Sequence, residues 1–204
     1  HILKLALEEG LNCDAMSVGE ITLLLKAGFP VERIFFVPNN VSSDELQFAL
    51  EKGVMTSLDS LSQLELFGKT CDSMNIQPEN RKCAVRINPG VGAGHHEKVV
   101  TGGKKTKFGI AEYDIPQIFL IAAKYNIRIA GINQHIGSLF MDPQPYLDAV
   151  KNLLRIAHDF KDLDFIDFGG GYGIPYHKLD DEKDFPMEDF KSRLEPILDE
   201  FVKS

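Results

Sequence analysis

Cysteine is scarce in these 204 residues: Cys13, Cys71 and Cys83 are odd in number and widely spaced. That excludes a disulfide framework and fits no zinc-binding pattern, so a reducing, cytoplasmic setting is the default. Long apolar runs are missing as well, since no window reaches the ~18 consecutive apolar residues of a membrane span. Positive charge is in deficit: 22 bases against 30 acids give a formal net charge of −8. Such a balance argues against wholesale binding to nucleic acid or to an anionic membrane. The opening HILKLALEEG lacks the basic start and long apolar run of a signal peptide. It is helical in its periodicity from residue 1, like a chain entered partway through a domain. Low-complexity stretches and long linkers are absent too.

What is present is the composition of a soluble globular domain, 44% hydrophobic and 25% charged, with ample length for a buried core. Short apolar runs recur around 12–16, 33–38, 54–58, 82–88, 128–136 and 163–168. Segments of helical periodicity lie at 2–9, 17–27, 43–51, 60–74, 114–125, 144–160 and 186–202. Ser17 with Glu20 reads as a capping box, and Ser43-Asp44-Glu45 and Asp114-Ile115-Pro116 as further helix starts. Gly28, Gly53 and the region of Asn126 read as helix ends.

Strand then helix, repeated, predicts an α/β fold with a parallel sheet and helices outside it. An open doubly wound sheet and a (β/α)8 barrel both satisfy the pattern. Nearly every apolar run ends in a polar or glycine-rich signature: Asp14, Asn39-Asn40, Asp59-Ser60, Arg86 and Asn88, His135, and Gly169-Gly170-Gly171. A barrel gathers all such ends on its active face, whereas an open sheet concentrates chemistry at one switch point. The barrel is therefore expected. A complete one needs ~250 residues, so six strand units in this length leave about two of eight unaccounted for.

The glycine run in IDFGGGYGIPY lets the backbone approach a ligand and present N–H groups to an anion. The alternative is a tight turn with unusual backbone angles. It is neither a dinucleotide fingerprint nor a P-loop. In NQHIGSLF, His135 follows an apolar strand and precedes Gly137 and Ser138. An imidazole there can stack on a planar ligand or move protons, or can be purely structural. Arg86 inside an apolar strand calls for an anionic partner. Asp14 and Glu20 either face the pocket mouth or merely satisfy loop backbone and close the capping box. The adjacent His95 and His96 do not make a metal site, because neighbours seldom chelate one ion and no third ligand is near. Lys104, Lys105 and Lys107 read as a solvated loop cluster. No GxSxG, HExxH, HxH or CxxC appears. An organic phosphate is the expected ligand.

The stretches CDAMSVGE, LDS, VRINPGVGAGHHEKVVTGGKKTKFGI, HIGS and DFGGGYGIPY together resemble the fold-type III decarboxylases that use pyridoxal phosphate, and among them the diaminopimelate branch. The likeness runs through essentially all of the chain. It implies an incomplete alanine racemase-like TIM-type barrel, with residues 1–204 as a pyridoxal-phosphate-binding domain. The resemblance further implies that His135 stacks on the pyridine ring, while Ser138, Gly169, Gly170 and Gly171 hold the phosphate. Arg86 would contact the phenolic edge region, and Asp14 and Glu20 would stand near the Schiff base. Lys107 would lie toward a homodimer interface. The implied reaction is decarboxylation of meso-2,6-diaminopimelate to L-lysine, with the conjugated ring taking up the electrons. Sibling decarboxylases of arginine, D-ornithine or carboxynorspermidine are the alternatives, as is a non-catalytic homologue acting as a regulator.

The departures are as specific. None of the 16 lysines falls at the C-terminal end of an expected strand. The family's Glu-Pro-Gly-Arg motif is missing, because Glu195-Pro196 runs on into Ile-Leu within a helical pattern. The C-terminal β-domain has no counterpart, and Leu139 stands where a glutamine is usual. The expectation is thus a barrel lacking its lysine strand and closing units, inactive by itself, with two uncovered edges.

Overall fold

The computed structural model describes residues 1–88, 90, 108–176 and 183–203. After helix α1 (Ile2–Glu8), strands and helices alternate: β1 (Cys13–Ala15), α2 (Val18–Ala27), β2 (Ile34–Phe36), α3 (Ser43–Lys52), β3 (Met55–Leu58), α4 (Leu61–Ser73) and β4 (Lys82–Arg86). Then come α5 (Ile115–Tyr125), β5 (Arg128–Asn133), α6 (Gln144–Ala157), β6 (Phe165–Asp167) and α7 (Met187–Lys203). The strands form one parallel sheet in the order β1-β2-β3-β4-β5-β6. Spatial order following chain order, without a reversal, leaves no switch point and marks barrel-type winding. β1 and β6 are the two edges of the sheet, so the barrel is incomplete, as the sequence led us to expect.

Local chemistry explains the elements. Ser42 accepts the Glu45 N–H (3.4 Å) while the Glu45 carboxylate accepts the Ser42 N–H (2.9 Å). The complete capping box is therefore at α3, its cap one residue ahead of the expected Ser43. At α2 only half of the expected box forms: Ser17 accepts from the Glu20 N–H, but the Glu20 carboxylate reaches past Ser17 to the Met16 N–H. Gly28, Gly53 and Asn126 end α2, α3 and α5 in the left-handed conformation, as expected. Glu195 and Pro196 lie inside α7.

Strand alternation separates two faces. Ile34, Phe36, Leu58, Cys83 and Val85 are buried against helix residues such as Ile21, Leu46, Leu64, Phe67 and Ile118. The three cysteines are free, and burial pushes the Cys71 thiol up to about 11. The opposite face is concave. Phe35 on β2 and Phe165 on β6 are not neighbours in the sheet, yet their rings meet edge-to-face at 5.3 Å. Ser57 on β3 donates to Asn133 on β5 across β4, at 2.6 Å. The sheet therefore curls around a lumen. Gly131 opens the way for this curl, because a Cβ there would lie 2.3 Å from the Phe165 ring.

Candidate functional site

The C-terminal end of the lumen is polar. Register places Arg86, Asn133 and Asp167 side by side on β4, β5 and β6. Arg86 is 6% exposed and its guanidinium sits 5.1 Å from the Phe108 ring centroid. Phe108 is brought over it by a short return of the chain, in which Ile110 pairs with Ile87. Among the described residues no carboxylate pairs with Arg86 within 4 Å. Its anionic partners act from further off: burial lowers its pKa, and the charges of Asp59 and Asp167 oppose that. The anionic partner anticipated for a buried arginine is thus two carboxylates rather than one contact.

Burial pushes three carboxyls above their usual range. Asp59, after β3, is pulled back down by Arg86, by backbone N–H donors including that of Asn40, and by Ser60. Asp167 is pulled back by the Gly169 N–H, which donates at 2.8 Å, and by Arg86. Asp14 occupies the middle of β1 rather than its end, and it is raised by desolvation and by the charge of Asp167. Its residue is exposed along the unpaired edge of β1, while the carboxyl itself is crowded by protein. His135 is half-buried, and desolvation together with Arg86 pushes its pKa below the ordinary value. The imidazole is therefore neutral at pH 7 and suited to stacking.

Two loops close this end, and they are zipped together by backbone. The Phe140 N–H donates to the Gly171 carbonyl (3.2 Å), and the Gly173 N–H donates to the Phe140 carbonyl (2.8 Å). Gly169 and Gly171 have φ of +72° and +108°, and a Cβ on either would lie 2.3 Å from the Gln134 carbonyl or 2.0 Å from that of Gly137. Only glycine permits this approach. Gly170 differs: a Cβ there meets nothing within 4 Å, so one side of the loop is open. The N–H groups of Gly170 and Gly171 have no hydrogen-bond acceptor among the described residues. Ser138 is half-buried in the facing loop. The tight turn with unusual backbone angles is observed, and those angles leave the two donors unpaired, which is compatible with the anion-binding alternative.

The structure brings Arg86, His135, Ser138, Gly169, Gly170 and Gly171 to one end of the lumen, with Asp14 on the same concave face. Glu20 stands at the C-terminal end of β1, where its carboxylate accepts the Met16 N–H at 2.5 Å. His95, His96, Lys104, Lys105 and Lys107 lie outside the described residues. Lys82, the strand lysine, opens β4 at the end opposite Arg86. No group of His, Cys, Asp and Glu among the described residues is arranged to hold a metal ion. Sequence reasoning missed Asp167, Asn133, and Tyr146, whose hydroxyl donates to the Gly169 carbonyl at 2.8 Å. It also missed Gln134, buried with neither side-chain amide atom hydrogen-bonded among the described residues. A cavity of about 450 Å³ opens beside the loops between Leu139, Met141, Ile174 and Pro186, away from the charged ring.

An end of this kind, with unpaired backbone donors beside a neutral imidazole, suits a planar, phosphorylated ligand. Comparison with known proteins points the same way. Residues 1–204 match the pyridoxal binding domain of the pyridoxal-dependent decarboxylases. The chain belongs to this family. It is 42% identical over 198 residues to a diaminopimelate decarboxylase of Methanothermobacter thermautotrophicus, covering 95% of this chain and 44% of that protein. It is 31% identical over 205 residues to the Aquifex aeolicus diaminopimelate decarboxylase, covering 98% and 48%. The Helicobacter pylori diaminopimelate decarboxylase complexed with L-lysine superposes with a TM-score of 0.88 at 30% identity, over 97% of this chain and 50% of that one. The chain thus spans about half the length of the relatives it matches. The cofactor of the family is pyridoxal phosphate, and the open side of Gly170 and the unpaired donors at 170 and 171 fit its phosphate.

Proposed function

We propose that residues 1–204 are the pyridoxal-phosphate-binding barrel domain of a decarboxylase that converts meso-2,6-diaminopimelate to L-lysine. The observation that carries this is the zipped pair of loops, with unpaired donors beside neutral His135, in a chain 42% identical to a diaminopimelate decarboxylase over 95% of its length. The cofactor would supply an electron sink for the electron pair left on the α-carbon as carbon dioxide leaves. The chain's own residues bind and orient it. The Gly170 and Gly171 N–H groups with the Ser138 hydroxyl hold the phosphate, Gly169 serving the close approach between loops. His135 stacks on the ring. Arg86 stays cationic between Asp59 and Asp167 and faces the oxygen-bearing edge of the ring, while Asp14 lies toward the reacting end. Glu20 acts through the Met16 loop that follows Asp14.

The open edges of the sheet support the view that the lysine strand and the closing units, including the pyridine-nitrogen glutamate, lie outside this sequence. The reading extends to a homodimer in the cytoplasm, in keeping with the scarcity of cysteine and with the absence among the described residues of a helix able to cross a membrane. The test uses the full-length protein with pyridoxal phosphate. Stoichiometric release of carbon dioxide and L-lysine from meso-2,6-diaminopimelate is expected, with little turnover of arginine, D-ornithine or carboxynorspermidine. Preference for one of those three reassigns the substrate, and no turnover of any supports the non-catalytic alternative.

A further inference from the structure

The glycine loop is held by a tyrosine of α6, Tyr146. Gly169 is held by two hydrogen bonds, its N–H donating to the Asp167 carboxylate (2.8 Å) and its carbonyl accepting from the Tyr146 hydroxyl (2.8 Å), and a Cβ on it would lie 2.3 Å from the Gln134 carbonyl. A carbonyl can only accept, so Tyr146 must donate there. The Tyr172 hydroxyl lies close enough to act on it electrostatically. The Tyr146 ring is 3% exposed and packed among Phe140, Tyr172 and Phe190, with centroids 5.2–5.5 Å away. The hydroxyl therefore has little freedom to turn elsewhere.

The consequence follows from peptide geometry. In a planar trans peptide the carbonyl of one residue and the N–H of the next point in opposite directions. Drawing the Gly169 carbonyl toward Tyr146 on α6 turns the Gly170 N–H the other way. That N–H has no acceptor among the described residues, and beside it lies the open side of Gly170. We infer that Tyr146 is a positioning residue of the anion cradle: through the Gly169–Gly170 peptide it aims the Gly170 N–H at the ligand's phosphate. The inference rests on the reading of this loop as the phosphate site and adds a second layer to it.

The test compares pyridoxal phosphate with pyridoxal, which lacks the phosphate, by equilibrium binding to the apo form of the full-length protein and its Tyr146→Phe and Tyr172→Phe variants. The wild type should prefer the phosphorylated form. Tyr146→Phe should shrink that preference roughly five- to tenfold, the worth of one buried hydrogen bond, with pyridoxal affinity unchanged. Tyr172→Phe should have a smaller effect in the same direction. A merely structural role for Tyr146 would weaken both ligands alike, and that result overturns the inference. Equal affinity of the wild type for the two ligands overturns instead the reading of the loop as a phosphate site. If the Phe variant does not fold, fluorotyrosine at position 146 replaces it. Its fluorine resonance should move on saturation with inorganic phosphate, because a bound anion polarises the shared peptide; an unchanged resonance refutes the inference.

Discussion

Alanine placed at Gly170 and at Gly171 should have different effects, although the two are neighbours in an unbroken glycine run. At Gly171 a side chain would have to adopt φ of +108°, outside even the left-handed well, and strain of that kind costs about 1–3 kcal/mol. Its Cβ would lie 2.0 Å from the Gly137 carbonyl, so the two loops must separate. Overpacking of that sort adds about 1–3 kcal/mol, and the Phe140–Gly171 hydrogen bond goes with it, worth about 1 kcal/mol. Together these reach about 3–7 kcal/mol, a large share of the 5–15 kcal/mol typical of a folded protein. At Gly170 no positive φ is demanded and no atom lies within 4 Å of a Cβ, so folding should change by less than about 1 kcal/mol. The added methyl group would, however, fill the space assigned to the phosphate. Urea unfolding followed by far-ultraviolet circular dichroism measures the first quantity, and equilibrium binding of pyridoxal phosphate the second, both on the full-length protein. Gly171→Ala should lose stability and cofactor together, while Gly170→Ala should lose cofactor alone. A Gly171→Ala variant with wild-type midpoint, slope and cofactor affinity would refute the reasoning, as would a Gly170→Ala variant that binds the cofactor normally.

Two further outcomes are open to direct measurement. His135 should titrate below 6.5 by proton NMR, because burial and Arg86 both oppose its charge, and a midpoint at or above 6.5 contradicts this. A lowered folded pKa means that the unfolded chain binds the proton more readily. The stability tied to neutral His135 is then full above about pH 6.5 and is lost as the pH falls toward the folded value. Asp14, Asp59 and Asp167 have raised values and act in the other sense, losing their contribution as pH rises through those values. The difference between wild type and His135→Gln therefore isolates the histidine, and no difference in slope below pH 6.5 counts against it. Ser57→Ala should cost about 1–3 kcal/mol by leaving the Asn133 carbonyl oxygen, on a residue 2% exposed, without its donor. A loss under about 0.5 kcal/mol in the same urea assay would show that Asn133 finds another partner.

Much of the architecture was legible because local chemistry decides it. The helix ends at Gly28, Gly53 and Asn126 declare themselves through residues that tolerate positive φ. The strands were legible as apolar runs, and their polar ends all fall on one side of a parallel sheet whatever its closure. What stayed hidden depends on contacts distant in sequence. Asp167 looks like any polar residue of a half-exposed strand until β4 brings Arg86 beside it. The one available signal was its place two residues before a glycine whose N–H it accepts. Tyr146 reads as part of the buried stripe of α6, and only the rule that a buried tyrosine hydroxyl seeks a partner hinted at more. Glu20 shows the converse, since its short-range partner, the Met16 N–H, was within reach of a capping argument and decides its position.

The two faces of the sheet divide the labour in opposite currencies. On the helix side, fully buried Phe36, Leu58 and Val85 gain stability by leaving water, at about 25 cal/mol per Å² of apolar surface. On the lumen side, Arg86, Asp59, Asp167 and Asp14 lose it, because each is partly desolvated and none is paired at contact distance among the described residues. A fold shaped for stability alone would draw Arg86 into a tight ion pair with Asp167, its neighbour but one along the register. Instead the Gly169 N–H engages one oxygen of the Asp167 carboxylate, and Phe108 covers the guanidinium with a ring that cannot neutralise it. The cation is therefore held unneutralised at short range beside a neutral imidazole and two unpaired N–H donors. On the proposed function that arrangement would favour a site filled by a planar anion over an empty one, and the strain left in the lumen would become part of the ligand's affinity.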